Sequence, residues 1–398
     1  EFALLYLDLD RFKAINDTLG HSSGDYILEE VAKRFQSCLP SHTHLSRIGG
    51  DEFTIIIENY TDEDYLFQLC NQLFKCMKKS FIIHEHKLTL SLSIGIAIYP
   101  HSGIDTATLL KNANVAMYDA KAKELNSVSI YDDVIAKKIE RRLRLEKDLP
   151  NALQNEELFL LYQPQVDSES NKIIGAEALI RWNHPELGII SPYEFIPIAE
   201  ETLQIISIGK WTLEQACKQM KRWHALGYSH LKIGVNLSAK EFEQEDFVKS
   251  ISSTLTNTGL PASSLDLELT ERIAMMDERE TLIKLRTLKS LGIHISIDDF
   301  GTGYSSLAYL PLYPIDTLKI PREFITMSET CDDGMEIIKT IITLANTLGM
   351  SVIAEGVETK EHVNFLQKNK CQFIQGYYYS KPIHIHAFTE LLENGIHP

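Results

Sequence analysis

ISIDDFGTGYSS, residues 295–306, is a short apolar strand that runs into two adjacent carboxylates, Asp298 and Asp299, and then into a loop hinged by Gly301 and Gly303. Successive side chains of a strand point to opposite faces, so two acids in a row after an apolar run mark the place where a strand stops. Unpaired carboxylates sharing a cleft repel, which raises a pKa or calls in a cation. Taken alone, the pair reads equally as a solvated polar turn. What decides is that the chain repeats the arrangement.

From Leu158 onward the runs LFLLYQP, KIIGAEALIRW, LKIGVNLSA, LDLELTE, IHISIDDFG, DTLKIP, SVIAEGVE and FIQGYYYS alternate with helical stretches such as 197–226 and 277–291. Eight strands over about 240 residues in a strand-then-helix rhythm predict a TIM-type (β/α)8 barrel. Where these runs end stand Glu177, Asn236, Glu268, Asp298, Asp299, Lys319, Glu355 and Gln375. Barrel strands open onto one mouth, and charges gathered there are costly unless paired or bound to metal. Oxygen donors without cysteine point to Mg2+ or Mn2+.

The first third of the chain has the same habit. Residues 2–9 are an apolar strand with Asp8 and Asp10 at its exit, 12–20 and 24–38 read as helices, and 45–58 read as a hairpin turning at Gly49-Gly50 into Asp51 and Glu52. A helix over 64–80, an alternating strand over 88–99 and a helix over 109–122 complete an α/β domain. Residues 129–149 carry IERRLRLEKDL, expected as a charged connecting helix with Ile135, Ile139, Leu143 and Leu145 on one side. The expected division is 1–131, a linker helix over 132–150, and 151–398.

Composition excludes several classes. There are 12 basic against 18 acidic residues up to Asp132 and 27 against 37 beyond it, so neither half carries the basic footprint of nucleic-acid or anionic-membrane binding. The six cysteines show no CxxC or zinc spacing and read as small core residues of a reduced cytosolic protein. No apolar run approaches the roughly 20 residues of a membrane helix. The chain opens in mid-strand and reads as part of a longer protein, whose upstream segment could carry a sensor or an anchor.

LDLDRFKAIND, GHSSGD and RIGGDEF resemble the GGDEF family, diguanylate cyclases that condense two GTP into cyclic di-GMP on a palm-like α/β domain. The resemblance implies a metal held by Asp8, the Leu9 carbonyl and Asp51. Asp51 also occupies the proton acceptor's position, and Glu52 completes the catalytic signature. It places Asn16, His21 and Asp25 on the guanine and sugar of GTP, and Arg11, Phe12, Lys13 and Lys121 near its phosphates. A homodimer is implied, because each cyclase subunit brings one GTP. The chain departs from the family in AKAKELN, where Leu125 replaces a phosphate-binding arginine and Glu124 a glycine. Losing such a charge-assisted contact costs about 1.5–3 kcal/mol. The RxxD product site is also missing, its positions being Pro40 and Thr43, as are the family's opening helix and DxLTxLxNR segment.

EALIRW, NLS, ELTE, DDFGTGYSSL, LKI, EGVE and QGYYYSKP, from about Ile139 onward, resemble the EAL family, phosphodiesterases that open cyclic di-GMP to linear pGpG. The resemblance assigns Glu177, Asn236, Glu268 and Asp298 to one metal, and Asp298, Asp299 and Glu355 to the neighbourhood of a second. It makes Lys319 the holder of the water or the stabiliser of developing charge, Glu355 the base, Gln375 an orienting group and Arg181 a phosphate ligand. Glu271 is implied to pin the loop 299–306. Pro321 stands where the family's LKID has Asp. The implied protein is a cyclic di-GMP phosphodiesterase with a GTP-binding domain that synthesises or regulates; the alternative is a non-catalytic nucleotide receptor.

Overall fold

Phe2–Leu9 is FALLYLDL, and all but its first residue are buried, so this strand (β1) takes the centre of its sheet. The structure, a computed structural model, describes residues 1–83, 86–123, 125–274, 278–303, 310–328 and 332–396; Glu124 and the loop positions Tyr304, Ser305 and Ser306 lie outside them. The chain divides into two units, Glu1–Arg144 and Leu145–Pro398.

In the first unit, β1 lies antiparallel between β3 (Glu52–Glu58) and β6 (Leu92–Tyr99). The five-stranded sheet is completed by β2 (Thr43–Gly49) beyond β3 and by β7 (Val128–Ile130) beyond β6. Helices Phe12–Leu19, His21–Cys38, Glu63–Met77 and Thr106–Lys121 supply the apolar faces that cover it. Two expectations are corrected here. The stretch 88–99 is not one strand: β4 (Phe81–Ile83) and β5 (His86–Leu88) form a separate hairpin, and β6 starts at Leu92 where pairing with Leu9 begins. Nor does the connecting helix start at Ser129, because Val128–Ile130 pairs in parallel with β6 and the helix runs Asp133–Ala152. Leu143 is 56% exposed and does not share the buried side with Ile139 and Leu145.

The second unit is a closed eight-stranded barrel. Its ring comprises β8 (Leu158–Asp167), β9 (Lys172–His184), β11 (Lys232–Leu237), β12 (Leu265–Thr270), β13 (His294–Asp298), β14 (Thr317–Ile320), β15 (Ser351–Ala354) and β16 (Phe373–Ile374), with β10 (Gly188–Ile190) added outside β9. Seven ring strands are parallel, but β8 is antiparallel to both neighbours. The strand-then-helix rhythm therefore fails at its first beat: β8 and β9 are joined by a tight turn with Asn171 at φ 52° and no helix between. The helix expected over 197–226 is two, Pro192–Glu201 and Ile205–Ala225, broken where Leu203 takes φ 60°. Burial of β-branched and leucine side chains between the strands and this helical coat forms the main core, the largest favourable contribution to the fold. No described helix is long and apolar enough to cross a membrane.

Candidate functional site

Lys319 lies in β14 and is 0% exposed. An unpaired ammonium there would be prohibitively costly, and the structure surrounds it with acids. Its Nζ is 2.6 Å from Glu268 Oε2, 2.6 Å from Glu355 Oε1, 3.1 Å from Asp298 Oδ1 and 3.8 Å from Glu177 Oε2. These acids come from four strands: Asp298 closes β13, Glu355 follows β15 and Glu268 lies near the end of β12, but Glu177, expected where its strand ends, sits inside β9, which runs on to His184; closure of the barrel gathers what the sequence scatters. Burial lowers a lysine's pKa, but the surrounding carboxylates outweigh it and hold this ammonium well above its usual range. Pro321, which takes φ −69° just beyond the strand, leaves Lys319 inside the cluster.

Glu177 is the hub on the opposite wall. Its Oε1 accepts from Asn236 Nδ2 at 2.6 Å, and its Oε2 accepts from Gln375 Nε2. Gln163, which sequence reasoning missed, pairs across β8 and β9 with Glu177 and accepts from Gln375 at 3.2 Å. Only the antiparallel register of β8 reveals it. Glu268 reaches the centre because Gly234 stands beside it on β11, where a Cβ would come within 2.2 Å of Oε1.

Five carboxylates and one lysine leave the cluster strongly negative. Oxygens of Asp298, Asp299 and Glu355 lie within 4.8 Å of one another. Glu268 Oε1 is buried without a hydrogen-bond partner, and Asp298 Oδ1 and Glu355 Oε1 face Lys319 at ion-pair distance without hydrogen-bond geometry. Burial first, then neighbouring acids against the pull of Lys319, push Glu355 up to about 8. Burial and Asp298 push Asp299 up to about 6, and the same causes hold buried Glu268 well above the carboxylate range. Such a set of hard, under-satisfied oxygens fits divalent cations.

At the rim, Arg181 donates to the Ile180 carbonyl at 2.8 Å and lies near Tyr193 and Tyr377, both exposed. The two tyrosines also escaped the sequence reading. Glu271 Oε2 accepts from the Gly301 N–H at 3.0 Å, so it ties down the start of the loop after β13; the loop's last positions are outside the described residues.

In the first unit, Asp8, next to last in β1, pairs opposite Glu52. Asp8 Oδ1 accepts from Lys121 Nζ at 2.6 Å, so two residues assigned separately to metal and phosphate meet each other. Burial, with added repulsion from Asp51 and Asp10, raises the Asp8 pKa despite that lysine. Asn16 Oδ1 is buried and unpartnered, and Gly24 gives it room, since a Cβ there would fall 1.9 Å away. Lys13, His21 and Asp25 are exposed around it, while Leu9 is buried at the end of β1. Leu125, 65% exposed, lines a cavity of about 500 Å³ with Asp10, Arg11 and Ile15.

A family model described as the EAL domain matches residues 146–382, and one described as the diguanylate cyclase GGDEF domain matches residues 1–127. Over 382 residues the chain is 41% identical to the bifunctional diguanylate cyclase/cyclic di-GMP phosphodiesterase MucR of Pseudomonas aeruginosa, covering 96% of this chain and 56% of that one. It is 32% identical over 385 residues to the cyclic di-GMP phosphodiesterase PdeR of Escherichia coli, covering 97% and 58%. The chain thus spans about half the length of the curated relatives it matches. A solved structure titled PaMucR phosphodiesterase, c-di-GMP complex, is 42% identical with a TM-score of 0.60, covering 62% of this chain and 99% of that one.

Proposed function

Because the chain belongs to the EAL family and joins that domain to a GGDEF domain, we propose that its barrel hydrolyses cyclic di-GMP to linear pGpG and that its first unit binds GTP. The observation that carries the first half is the set of four carboxylates within 4 Å of buried Lys319, with Asp299 beside two of them. Glu177, Asn236, Glu268 and Asp298 would hold one divalent cation, Mg2+ or Mn2+, with Asp299 and Glu355 serving a second. Bound there, such cations would neutralise phosphate charge and acidify a water at neutral pH. Arg181 is placed to fork onto a substrate phosphate. Glu355 takes the proton from the attacking water, Lys319 donates a hydrogen bond to the oxygen on which charge develops, and the P–O3′ bond breaks as the leaving O3′ takes up a proton from solvent. Gln375 keeps Glu177 oriented throughout.

The direct test is purified protein with Mg2+ and cyclic di-GMP. Linear pGpG is the expected product; tight binding without turnover would make the barrel a receptor instead.

The raised carboxyls give a second expectation. Glu355 and Asp299 are protonated below about 8 and about 6 in the metal-free site, and each must lose its proton to ligate a cation. Apparent Mg2+ affinity should therefore rise as pH climbs through that window, with protons released on binding. Calorimetry in buffers of different ionisation enthalpy reads both, and a flat affinity across the window would remove these two residues from the ligand set.

For the first unit, Asn16, His21, Asp25 and Lys13 are proposed to hold the nucleotide and Asp8, the Leu9 carbonyl and Asp51 its metal, with Lys121 turning from Asp8 to the phosphates. Synthesis would need two such units facing one another in a homodimer. Leu125→Arg restores a charge-assisted phosphate contact worth about 1.5–3 kcal/mol, so GTP affinity measured by calorimetry should increase roughly 10- to 100-fold. An unchanged affinity would place the triphosphate elsewhere.

A further inference from the structure

Cys38 is the last residue of helix His21–Cys38, and Cys76 lies one residue before the end of helix Glu63–Met77. They are far apart in sequence and carry no motif. Arg34, one turn before Cys38 on the same face, binds the two helix ends together. Its guanidinium donates to the carbonyls of Cys76 at 3.4 Å, of Ser80 at 3.1 Å and of Lys79, and its carbon sits 3.8 Å from the centre of the Phe81 ring. On this face Cys38 is the thiol neighbour of Cys76, near enough to raise its pKa, while the Cys76 thiol donates to the Leu73 carbonyl at 3.0 Å. Both thiols are half-buried and within reach of small oxidants, whereas Cys70, Cys217 and Cys371 are buried. Burial, reinforced by the neighbouring thiol, pushes Cys76 up to about 12, which keeps it in the thiol form.

We propose that Cys38 and Cys76 form a reversible disulfide, made by hydrogen peroxide and broken by a dithiol, which clasps the helix ends flanking the GGDEF hairpin. The Cys38 thiolate attacks the peroxide oxygen, giving a sulfenic acid, and the cleaved oxygen leaves as water after taking up a proton. The Cys76 sulfur then attacks the sulfenic sulfur; hydroxide departs and combines with the Cys76 proton as a second water. One O–O bond is reduced, two thiols are oxidised and one S–S bond forms. The bond brings the two neighbouring sulfurs to about 2 Å. The bond closes residues 39–75 into a loop that carries Gly49, Gly50, Asp51 and Glu52, so oxidation state is transmitted to the segment bearing the proposed nucleotide chemistry.

The test treats the full chain with hydrogen peroxide, counts thiols after denaturation and maps linked peptides by mass. The expected result is a loss of two of the six thiols, a peptide pair joining Cys38 to Cys76 that is lighter by two hydrogen atoms, and recovery of both thiols with dithiothreitol. Cys76→Ala should give no linked pair and leave Cys38 over-oxidised or capped. Retention of all thiols by the wild-type chain, or their loss without a Cys38–Cys76 pair, overturns the proposal; this reading needs no variant to fold.

Discussion

Glu177→Ala abolishes hydrolysis of cyclic di-GMP, by at least about 10³-fold, while the metal-free protein melts no earlier than wild type. The activity loss follows from position: one side chain accepts from Asn236 and Gln375 and faces Lys319, so its removal takes away a proposed ligand and releases the two amides that frame it. Groups of this kind typically cost 10- to 100-fold in metal affinity even when they act from behind the ligands. Stability moves differently. The cluster already has more negative than positive charge, and Glu177 raises the pKa of Glu268 and Glu355 by repulsion. Deleting it relieves that repulsion and offsets the two lost hydrogen bonds, each worth about 1 kcal/mol net. Product formation read by chromatography and unfolding read by calorimetry, both without and with Mg2+, check the two halves. Retained turnover would sink the ligand assignment.

Glu268, Asp298 and Glu355 were legible because they stand at or near the ends of the apolar runs of β12, β13 and β15, and any barrel must bring such ends together; Glu177 instead lies inside β9, which runs on past it to His184. Gln163 was not legible. It sits in LFLLYQP like any half-buried strand residue, and its role depends on β8 running against the ring, which the turn at Asn171 decides. The break at Leu203 has no glycine or proline to announce it, and the three residues of β7 are too few for a period to show. The thiol pair is invisible for a different reason: Cys38 and Cys76 are made neighbours by the packing of two helices through Arg34, and no local pattern encodes that. Local chemistry is written along the chain, whereas direction and packing are written between segments.

Lys319→Met shifts stability the other way and loses the same activity. Methionine fills most of the lysine's volume, so no large cavity opens, and the effect isolates the charge. Removing it strands Glu268, which is 1% exposed, together with Glu355 and Asp298, opposite no cation. Breaking a buried pair from one side costs about 3–5 kcal/mol, part of which the carboxyls recover by taking up protons; their pKa values, already raised by burial, rise further once the lysine that lowers them is gone. The metal-free barrel should therefore melt roughly 2–4 °C lower for each kcal/mol lost, and the deficit should grow with pH as the stranded acids are forced to ionise. Saturating Mg2+ should restore much of the melting temperature, because a cation can replace the missing positive charge, yet turnover should stay at least about 10³-fold down, because a cation cannot donate the N–H hydrogen bond that Lys319 gives the developing oxyanion. Melting curves at several pH values, with and without Mg2+, beside pGpG assays, separate the two roles. A variant that melts like wild type in the absence of metal would mean that Lys319 is not the charge holding these acids together.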